Sequence, residues 1–207
     1  MPNWEIEDKF EGIVCGIDEA GRGPWVGPVV AGAVIFLSCD INPELLNGIN
    51  DSKKLSAKKR EKLYDLLLAE ERAGHITYGI GEASAAEIDE LNILQATFLA
   101  MKRAVQNLKT IPSHALIDGN RLPAEFCCPC SCYVGGDGLS YSIAAASIMA
   151  KVYRDNLLKT LAQKYPEYGF EKNAGYGTKD HIEALKKYGV TPQHRKSYRP
   201  IREILEA

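Results

Sequence analysis

The chain has 207 residues, of which 45% are hydrophobic and 25% are charged, and its formal net charge is −2. These values are typical of a globular protein, and we expect a single domain over residues 1–207. The small net charge excludes a global basic field, so a nucleic-acid partner would be attracted by a local patch.

The N-terminal residues 1–12 are polar and acidic and lack the apolar segment of a signal peptide. The longest apolar stretch, 29–37, contains a glycine and is too short to span a bilayer. We therefore expect a cytoplasmic protein that has no membrane partner and whose thiols stay reduced.

The first predicted elements are two strands joined by a loop rich in glycine and proline. Residues 12–17 (GIVCGI) and 29–36 are apolar runs typical of buried strands, and the short link between them fits an antiparallel pair. A helix that Ser56 caps and Gly74 ends is expected next. Residues 76–80 then predict a third strand.

The second half of the chain predicts more helix than strand. Ser84 begins a capping-box pattern, and apolar residues continue at helical spacing as far as Leu108, which predicts one amphipathic helix. The remaining pattern predicts strands at 115–117 and 125–134, and helices at 142–164, at 178–188 and near the C-terminus. This order predicts an α/β fold with a mixed sheet and helices on its faces.

Acidic residues follow three apolar, strand-like runs: Asp18 and Glu19 after the first, then Asp118 and Asp137. Each acidic site is followed closely by glycine. Ligands gather at the carboxyl ends of strands in open α/β sheets, so we expect the four carboxylates to converge. Asp-Gly pairs are also common in turns and helix caps, and the spacing alone leaves both interpretations open.

Converging carboxylates repel one another unless a cation neutralises them. Oxygen ligands without histidine or cysteine suit Mg²⁺ or Mn²⁺, and two such ions about 4 Å apart promote phosphodiester hydrolysis. Neighbouring residues of a regular strand point to opposite faces, so Asp18 and Glu19 share a site only where the strand ends or bends. Gly21 and Gly23 are where we expect that bend.

Six blocks spread over nearly the whole chain carry a family resemblance. They are GIDEAGRGPWVGPVVAGAV at 16–34, DSKKLS at 51–56, IDGN at 117–120, GGDGLSYSIAAASIMAKVYRD at 135–155, GYGT at 175–178 and TPQHRKSY at 191–198. In this order they resemble bacterial ribonuclease HII. The resemblance implies a ribonuclease H-like fold, with a mixed five-stranded sheet in a catalytic core at about 10–165 and a C-terminal helical segment at about 166–207.

The resemblance also implies the activity. Such enzymes are endonucleases that cut the RNA strand of RNA–DNA hybrids and duplex DNA that carries a single ribonucleotide. They cut on the 5′ side of the ribonucleotide and leave 3′-hydroxyl and 5′-phosphate ends. Relatives usually act as monomers, and we expect the same state here.

By the same resemblance, the catalytic and metal-binding acids are Asp18, Glu19, Asp118 and Asp137, which would hold two Mg²⁺ or Mn²⁺ ions. Asp18 is expected to bridge both ions, with Glu19 and Asp118 on one side and Asp137 on the other.

The resemblance further implies how substrate is recognised. Gly21, Arg22 and Gly23 (the GRG loop) match the element that reads the ribose 2′-hydroxyl, mainly through backbone groups that glycine exposes. Tyr176 matches a tyrosine that packs on the sugar beside the ribonucleotide. Lys53 is expected to contact the phosphate backbone.

Three further residues are expected at the substrate, each with a structural alternative. Ser140 stands at the start of the long helix, where it either contacts substrate or caps the helix. Arg195 and Ser197 lie in the last family block and are expected to touch the DNA strand, although their position also fits an ordinary C-terminal surface.

The sequence departs from the family at the run CCPCSC and at Gly136, where many relatives carry lysine. The run contains a cysteine cluster, formed by Cys127, Cys128, Cys130 and Cys132. Its single CxxC lacks the second pair that a four-ligand zinc site needs, so the first interpretation is small buried strand residues. Adventitious metal binding or redox sensitivity is the second.

Two other functions compete with a ribonuclease H. A non-catalytic protein that binds RNA–DNA hybrids would keep the fold without cutting, although the presence of all four acids argues against it. A zinc or redox module would be built on the cysteine cluster.

Overall fold

The computed structural model describes residues 1–206, and in that range five strands form one mixed sheet. The strands are β1 (Val14–Ala20), β2 (Val29–Phe36), β3 (Ile76–Ala83), β4 (His114–Asp118) and β5 (Cys130–Tyr133). Their order across the sheet is β3-β2-β1-β4-β5. The pairs β1–β2 and β2–β3 are antiparallel, whereas β1–β4 and β4–β5 are parallel, so the carboxyl ends of β1 and β4 meet at one edge.

Helices cover both faces of this sheet. They are α1 (Pro43–Gly48), α2 (Ala57–Arg72), α3 (Ala85–Leu91), α4 (Ile93–Gln106), α5 (Tyr141–Lys164), α6 (Phe170–Asn173), α7 (Lys179–Tyr188) and α8 (Arg199–Leu205). One apolar core joins α3 and α4 to one face, and a second joins α1, α2 and α5 to the other. The predicted α/β fold, a mixed five-stranded sheet flanked by helices, is confirmed. No helix within residues 1–206 combines the length and apolarity that a membrane crossing requires.

Helix α5 begins directly against β1 because Gly16 has no side chain. A Cβ at Gly16 would overlap the backbone of Ser142 in the first turn of α5. The contact places the N-terminus of α5 beside the carboxyl half of β1, where Asp18 lies.

The helix predicted from Ser84 to Leu108 is in fact two helices, α3 and α4. Asn92 interrupts it with φ 70° and ψ 163°, a positive φ that residues other than glycine rarely adopt. Its side-chain oxygen accepts hydrogen bonds from the N–H groups of Leu94 and Gln95 at 3.0 and 3.2 Å and so caps α4. The capping box at Ser84 is present as predicted.

Four strands differ in length from the prediction: β3 and β4 are longer by a few residues, and the differences in β5 and β1 affect the site. β5 is shorter, so Cys127 and Cys128 precede it; Pro129, which lies next, has no N–H to donate to a strand ladder. β1 is longer and continues as a regular strand through Asp18 and Glu19. This second difference decides where the two acids point.

The C-terminal segment packs against the loop that follows β1. A third apolar core unites Val26 of that loop with Phe170, Leu185 and Ile201, which belong to α6, α7 and α8. An isolated antiparallel bridge pairs Val26 with His194. The C-terminal helices are thus attached to the chain segment that leads away from the first two acids.

Candidate active site

Three carboxylates meet at the edge of the sheet where β1 and β4 end. One oxygen each from Asp18, Asp118 and Asp137 lie within 4.8 Å of one another, and we call these residues the acid cluster. Asp18 and Asp118 come from parallel neighbouring strands. Asp137 comes from the 3-10 turn Gly136–Gly138 before α5, and the Gly136 N–H ties that turn to Asp118 Oδ1 at 2.7 Å.

Burial makes the charged forms of Asp18 and Asp137 unfavourable without a cation. Asp18 is 2% exposed, and its pKa lies well above the usual value because of burial and of repulsion from Glu19 and Asp118. Its Oδ1 accepts the Glu19 N–H at 2.7 Å, whereas its buried Oδ2 has no hydrogen-bond partner among residues 1–206. Burial, together with Asp118 and Asp51, raises the pKa of Asp137 to about 6.

These features fit a divalent cation. A cation would satisfy the orphaned Oδ2 of Asp18 and remove the repulsion within the acid cluster. The donors are all carboxylate oxygens, which are the ligands that Mg²⁺ and Mn²⁺ prefer. The geometry therefore supports the predicted metal site at these three residues.

Asp51 and Lys53, from the loop before α2, adjoin the acid cluster. Burial opposes the charge on Lys53, but the carboxylates of Asp18, Asp137, Asp51 and Asp118 outweigh it and raise the pKa of Lys53. Asp51 was not predicted as a site residue. The only feature of the sequence that indicates a role for Asp51 is its place in the DSKKLS block beside Lys53.

Glu19 lies on the opposite face of the sheet from Asp18, because β1 stays regular through both residues. It is not a member of the acid cluster; its carboxylate pairs with Arg22 at 3.2 Å. Burial raises the pKa of Glu19, although Arg22 opposes this shift. The bend expected at Gly21 and Gly23 comes after the acids and does not turn Glu19 toward Asp18.

A cavity of about 600 Å³ lies between Glu19 and helix α4. Asp118 lines it too, so the cavity connects Glu19 with the acid cluster. Three basic side chains, from Arg22, Lys53 and Arg121, also line it. Basic groups beside a carboxylate cluster are suited to position a phosphate backbone.

The GRG loop turns sharply after β1 and rests on a buried arginine. Gly21 has φ 95°, which side chains rarely adopt, and a Cβ there would overlap the side chain of Arg154. Arg154, on α5, is 2% exposed and donates hydrogen bonds to the carbonyl oxygens of Val26 and Pro28 at 3.1 and 3.3 Å. Only glycine fits at this point of the loop.

A second buried arginine holds the same loop from the C-terminal segment. Arg195 is 0% exposed and donates hydrogen bonds to the carbonyl oxygens of Gly21, Arg22 and Gly27, the last two at 2.8 and 3.0 Å. It also donates to the Tyr198 hydroxyl at 2.9 Å. The expectation that Arg195 touches the DNA strand is wrong, because its side chain is buried and supports the GRG loop.

Ser140 is also buried, at 0% exposure. Its hydroxyl accepts the Ile143 N–H at 3.2 Å and donates to Glu7 Oε1 at 2.7 Å. The expected substrate contact is therefore wrong, and the alternative, a cap on α5, is what the structure shows. Ser197 is exposed, and its hydroxyl and N–H donate to Asp89 at 2.6 and 2.8 Å.

Tyr176 lies beside the GRG loop although the two are far apart in sequence. Its side chain is 54% exposed, and a Cβ on Gly23 would lie 3.4 Å from its ring. The Trp25 N–H donates to the Gly175 carbonyl at 2.8 Å and ties the two loops together. This proximity supports the prediction that the GRG loop and Tyr176 contact neighbouring nucleotides, the ribonucleotide and the sugar beside it.

The cysteine cluster does not assemble into a metal site. Cys127 is exposed, whereas Cys128 packs against the core beneath α4, and burial raises its pKa to about 12. In the part of the chain that the structure describes, no three cysteines bring their sulfurs as close together as the acid cluster brings its oxygens. The zinc interpretation gains no support.

Metal affinity is expected to rise with pH from about 5 to about 7. Burial and neighbouring carboxylates raise the pKa of Asp137 to about 6, so a proton must leave before this carboxylate can hold a cation. Each such proton gives up to about a tenfold gain in Mn²⁺ affinity per pH unit, measurable by titration calorimetry. Asp137→Asn should bind Mn²⁺ more weakly and with a shallower pH dependence. An affinity of the unmodified protein that stays constant over this range would contradict the assignment.

A mixed five-stranded sheet that gathers carboxylates where β1 and β4 end defines a nuclease of the ribonuclease H class. The structure is similar to the crystal structure of ribonuclease H2 from Pyrococcus horikoshii OT3, with a TM-score of 0.75 and 29% sequence identity over 94% of this chain and 98% of that one. A sequence model of ribonuclease HII matches residues 15–201.

Two curated relatives are equally informative. The ribonuclease HII of Paramagnetospirillum magneticum is 53% identical over 205 residues, which cover 99% of each chain. That of Rhodospirillum rubrum is 54% identical over 205 residues, covering 99% of this chain and 92% of the relative. The chain belongs to the ribonuclease HII family. It is an endoribonuclease of the ribonuclease H type, and this family is metal-dependent and acts on nucleic acid that contains RNA.

Proposed function

We propose that the enzyme cuts the RNA strand of RNA–DNA hybrids and nicks duplex DNA on the 5′ side of a single ribonucleotide, with Mg²⁺ or Mn²⁺ as its cofactor. The observation that carries this proposal is the buried acid cluster directly beside the GRG loop. Asp18 and that loop belong to one short segment, so the groups that hold metal and the groups that read a sugar are physically joined.

Asp18, Asp118 and Asp137 would hold the cations, and Glu19 would complete the ligand set from the adjoining cavity. Bound divalent ions lower the pKa of a water molecule and stabilise the oxygen that leaves the phosphorus. The chain itself supplies position: Lys53 and the other basic residues of the cavity would orient the phosphate backbone without reading its sequence.

The GRG loop would read the 2′-hydroxyl through its N–H groups. The carbonyls of Gly21 and Arg22 point inward to Arg195. A trans peptide places its N–H opposite its C=O, so the N–H groups of Arg22 and Gly23 point away from Arg195. A ribose hydroxyl can accept from such a donor, whereas deoxyribose has no oxygen at that position.

We also propose that residues 1–207 work as one domain and that the enzyme acts as a monomer in the cytoplasm. The apolar core that joins Val26 to α6, α7 and α8 supports the first statement, since the C-terminal helices and the GRG segment share it. Sedimentation equilibrium would test the second, and a stable dimer at assay concentrations would contradict it.

The activity is tested on three duplexes of one sequence: all DNA, DNA with a single ribonucleotide, and an RNA–DNA hybrid. With Mg²⁺ or Mn²⁺, we expect a nick 5′ of the ribonucleotide with 3′-hydroxyl and 5′-phosphate ends, and no cleavage of the all-DNA duplex. Binding of the hybrid without cutting would favour the non-catalytic alternative. Cleavage of the hybrid alone would remove the single-ribonucleotide duplex from the proposal.

Tyr176→Ala is expected to lower kcat/KM on the single-ribonucleotide duplex about tenfold, because the apolar contact between the ring and the sugar is lost, at a cost of about 1.5 kcal/mol. The long hybrid offers many alternative registers and should be affected less. Tyr188→Ala is the matched control, since Tyr188 is 51% exposed and lies on α7. Equal losses for Tyr176→Ala on both substrates would contradict a role at the junction.

A further inference from the structure

Two histidines meet in the interior of the C-terminal segment. His181, on α7, and His194, between α7 and α8, are 0% and 1% exposed, and their Nε2 atoms are 3.1 Å apart. The rings of Tyr168 and Phe170 surround them. Burial lowers the pKa of both, that of His194 to about 4, so both rings are neutral at physiological pH.

The partners of the two rings define one arrangement of protons. The Thr191 N–H donates to His194 Nδ1 at 3.0 Å, so this nitrogen carries no hydrogen and His194 is protonated at Nε2. His181 Nδ1 lies 2.9 Å from the Tyr176 carbonyl oxygen, which only accepts, so His181 is protonated at Nδ1. His194 Nε2–H can then donate to the bare Nε2 of His181, and every polar atom of both rings is satisfied.

This chain of hydrogen bonds ends at the backbone of Tyr176. The Tyr176 carbonyl also accepts the Thr178 N–H at 2.9 Å, so two donors fix the peptide that follows the tyrosine. Arg195 follows His194 directly in the chain, and its side chain holds the GRG loop. The adjacent buried residues His194 and Arg195 thus connect to Tyr176, through His181, and to the GRG loop.

We propose that His181 and His194 are positioning residues that set the place of Tyr176 against the GRG loop and thereby determine the preference for a ribonucleotide–deoxyribonucleotide junction. This inference rests on the proposed function of Tyr176. A core histidine with a purely structural role would also have hydrogen-bonded nitrogens, but its replacement would not change the preference between the two substrates. The two views differ in what they predict for amide replacements.

Two replacements of His181 separate its two nitrogens. Asparagine places its amide nitrogen near the position of Nδ1 and retains a donor for the Tyr176 carbonyl. Glutamine reaches the position of Nε2, so it retains an acceptor for His194 but leaves the carbonyl of Tyr176 without its side-chain donor. Both variants remove the aromatic ring, and a purely structural role predicts the same effect for both.

The measured quantity is the ratio of kcat/KM on the single-ribonucleotide duplex to kcat/KM on the long hybrid. We expect His181→Gln to lower this ratio about fivefold to tenfold, as for the loss of one buried hydrogen bond, and His181→Asn to keep it within about twofold. Equal changes in the two variants, or an unchanged ratio for His181→Gln, would overturn the proposal.

A second measurement uses the unmodified enzyme and does not depend on how the variants fold. Nitrogen-15 NMR of the histidine rings should show His181 protonated at Nδ1 and His194 protonated at Nε2. Protonation of His181 at Nε2 would overturn the proposed chain of hydrogen bonds from His194 to Tyr176. The Tyr176→Ala variant separates the two proposals: an unchanged ratio there overturns the role of Tyr176 itself, whereas a lowered ratio together with equal His181 variants overturns only the positioning role.

Discussion

Asp18→Asn is expected to lower the rate of cleavage by at least about a thousandfold, since divalent ions supply several kcal/mol of charge stabilisation and we propose that this residue holds them. Asp18 is 2% exposed, and its Oδ2 has no partner within residues 1–206. Asparagine keeps the shape and the acceptor for the Glu19 N–H but removes the charge. The rate of nicking of a single-ribonucleotide duplex with Mg²⁺ or Mn²⁺ measures the effect.

The same variant should be more stable than the unmodified protein when metal is absent. The raised pKa of Asp18 means that the folded state binds a proton more tightly than the unfolded state. Stability is therefore lost as pH rises above the ordinary carboxyl range, and asparagine avoids this cost. Thermal unfolding in a chelator at neutral pH should show a higher midpoint for Asp18→Asn, by about 2–4 °C for each kcal/mol gained.

Added Mn²⁺ should reverse the order. Binding to the folded state alone stabilises the unmodified protein by mass action, and Asp18→Asn should gain little. Asp65→Asn, on the exposed side of α2, is the matched control and should change neither cleavage nor unfolding. Full activity of Asp18→Asn would remove Asp18 from the metal site, and a lower midpoint in chelator would show that its charge is not a cost.

The strand ends and their acids could be predicted because local patterns determine them. An apolar run followed by an acid and a glycine was enough to indicate where Asp18 and Asp118 stand, and parallel pairing of β1 with β4 brings them together. The place of Glu19 was not predicted, because a bend was expected to bring it beside Asp18 in spite of the alternation along a strand. The bend comes only at Gly21, since β1 continues as far as Ala20.

The supporting residues could not be predicted because their partners are distant in sequence. The motifs that contain Arg195 and Ser140 suggest contact with substrate, yet both side chains are buried against segments that are distant in sequence. A basic residue in an enzyme that acts on nucleic acid is readily interpreted as a phosphate contact. Only the packing of the C-terminal helices shows that the guanidinium of Arg195 is turned inward, toward backbone carbonyls.

Arg195→Ala is expected to lower kcat/KM on the single-ribonucleotide duplex about a hundredfold and the free energy of unfolding by about 3 kcal/mol, since buried carbonyls would lose their charged donor. Two of these carbonyls belong to Gly21 and Arg22, and without the Arg195 side chain their peptides are free to rotate. The N–H groups that would read the 2′-hydroxyl would then lose their direction. Arg195→Lys should rescue little, because one ammonium cannot reach carbonyls that a guanidinium fork spans.

Rescue by free guanidinium separates the loss of orientation from the loss of stability. At concentrations too low to unfold the protein, guanidinium can occupy the vacated space and should restore part of kcat/KM for Arg195→Ala, while methylammonium should not. Arg199→Ala is the matched control, since Arg199 is exposed and pairs only with Glu203 at 2.7 Å among the described residues. A contact between Arg195 and DNA would instead make Arg195→Ala bind the all-DNA and ribonucleotide duplexes more weakly to the same extent, measured as Kd without added metal. Retention of full ribonucleotide discrimination by Arg195→Ala would show that the GRG loop holds its conformation without this arginine.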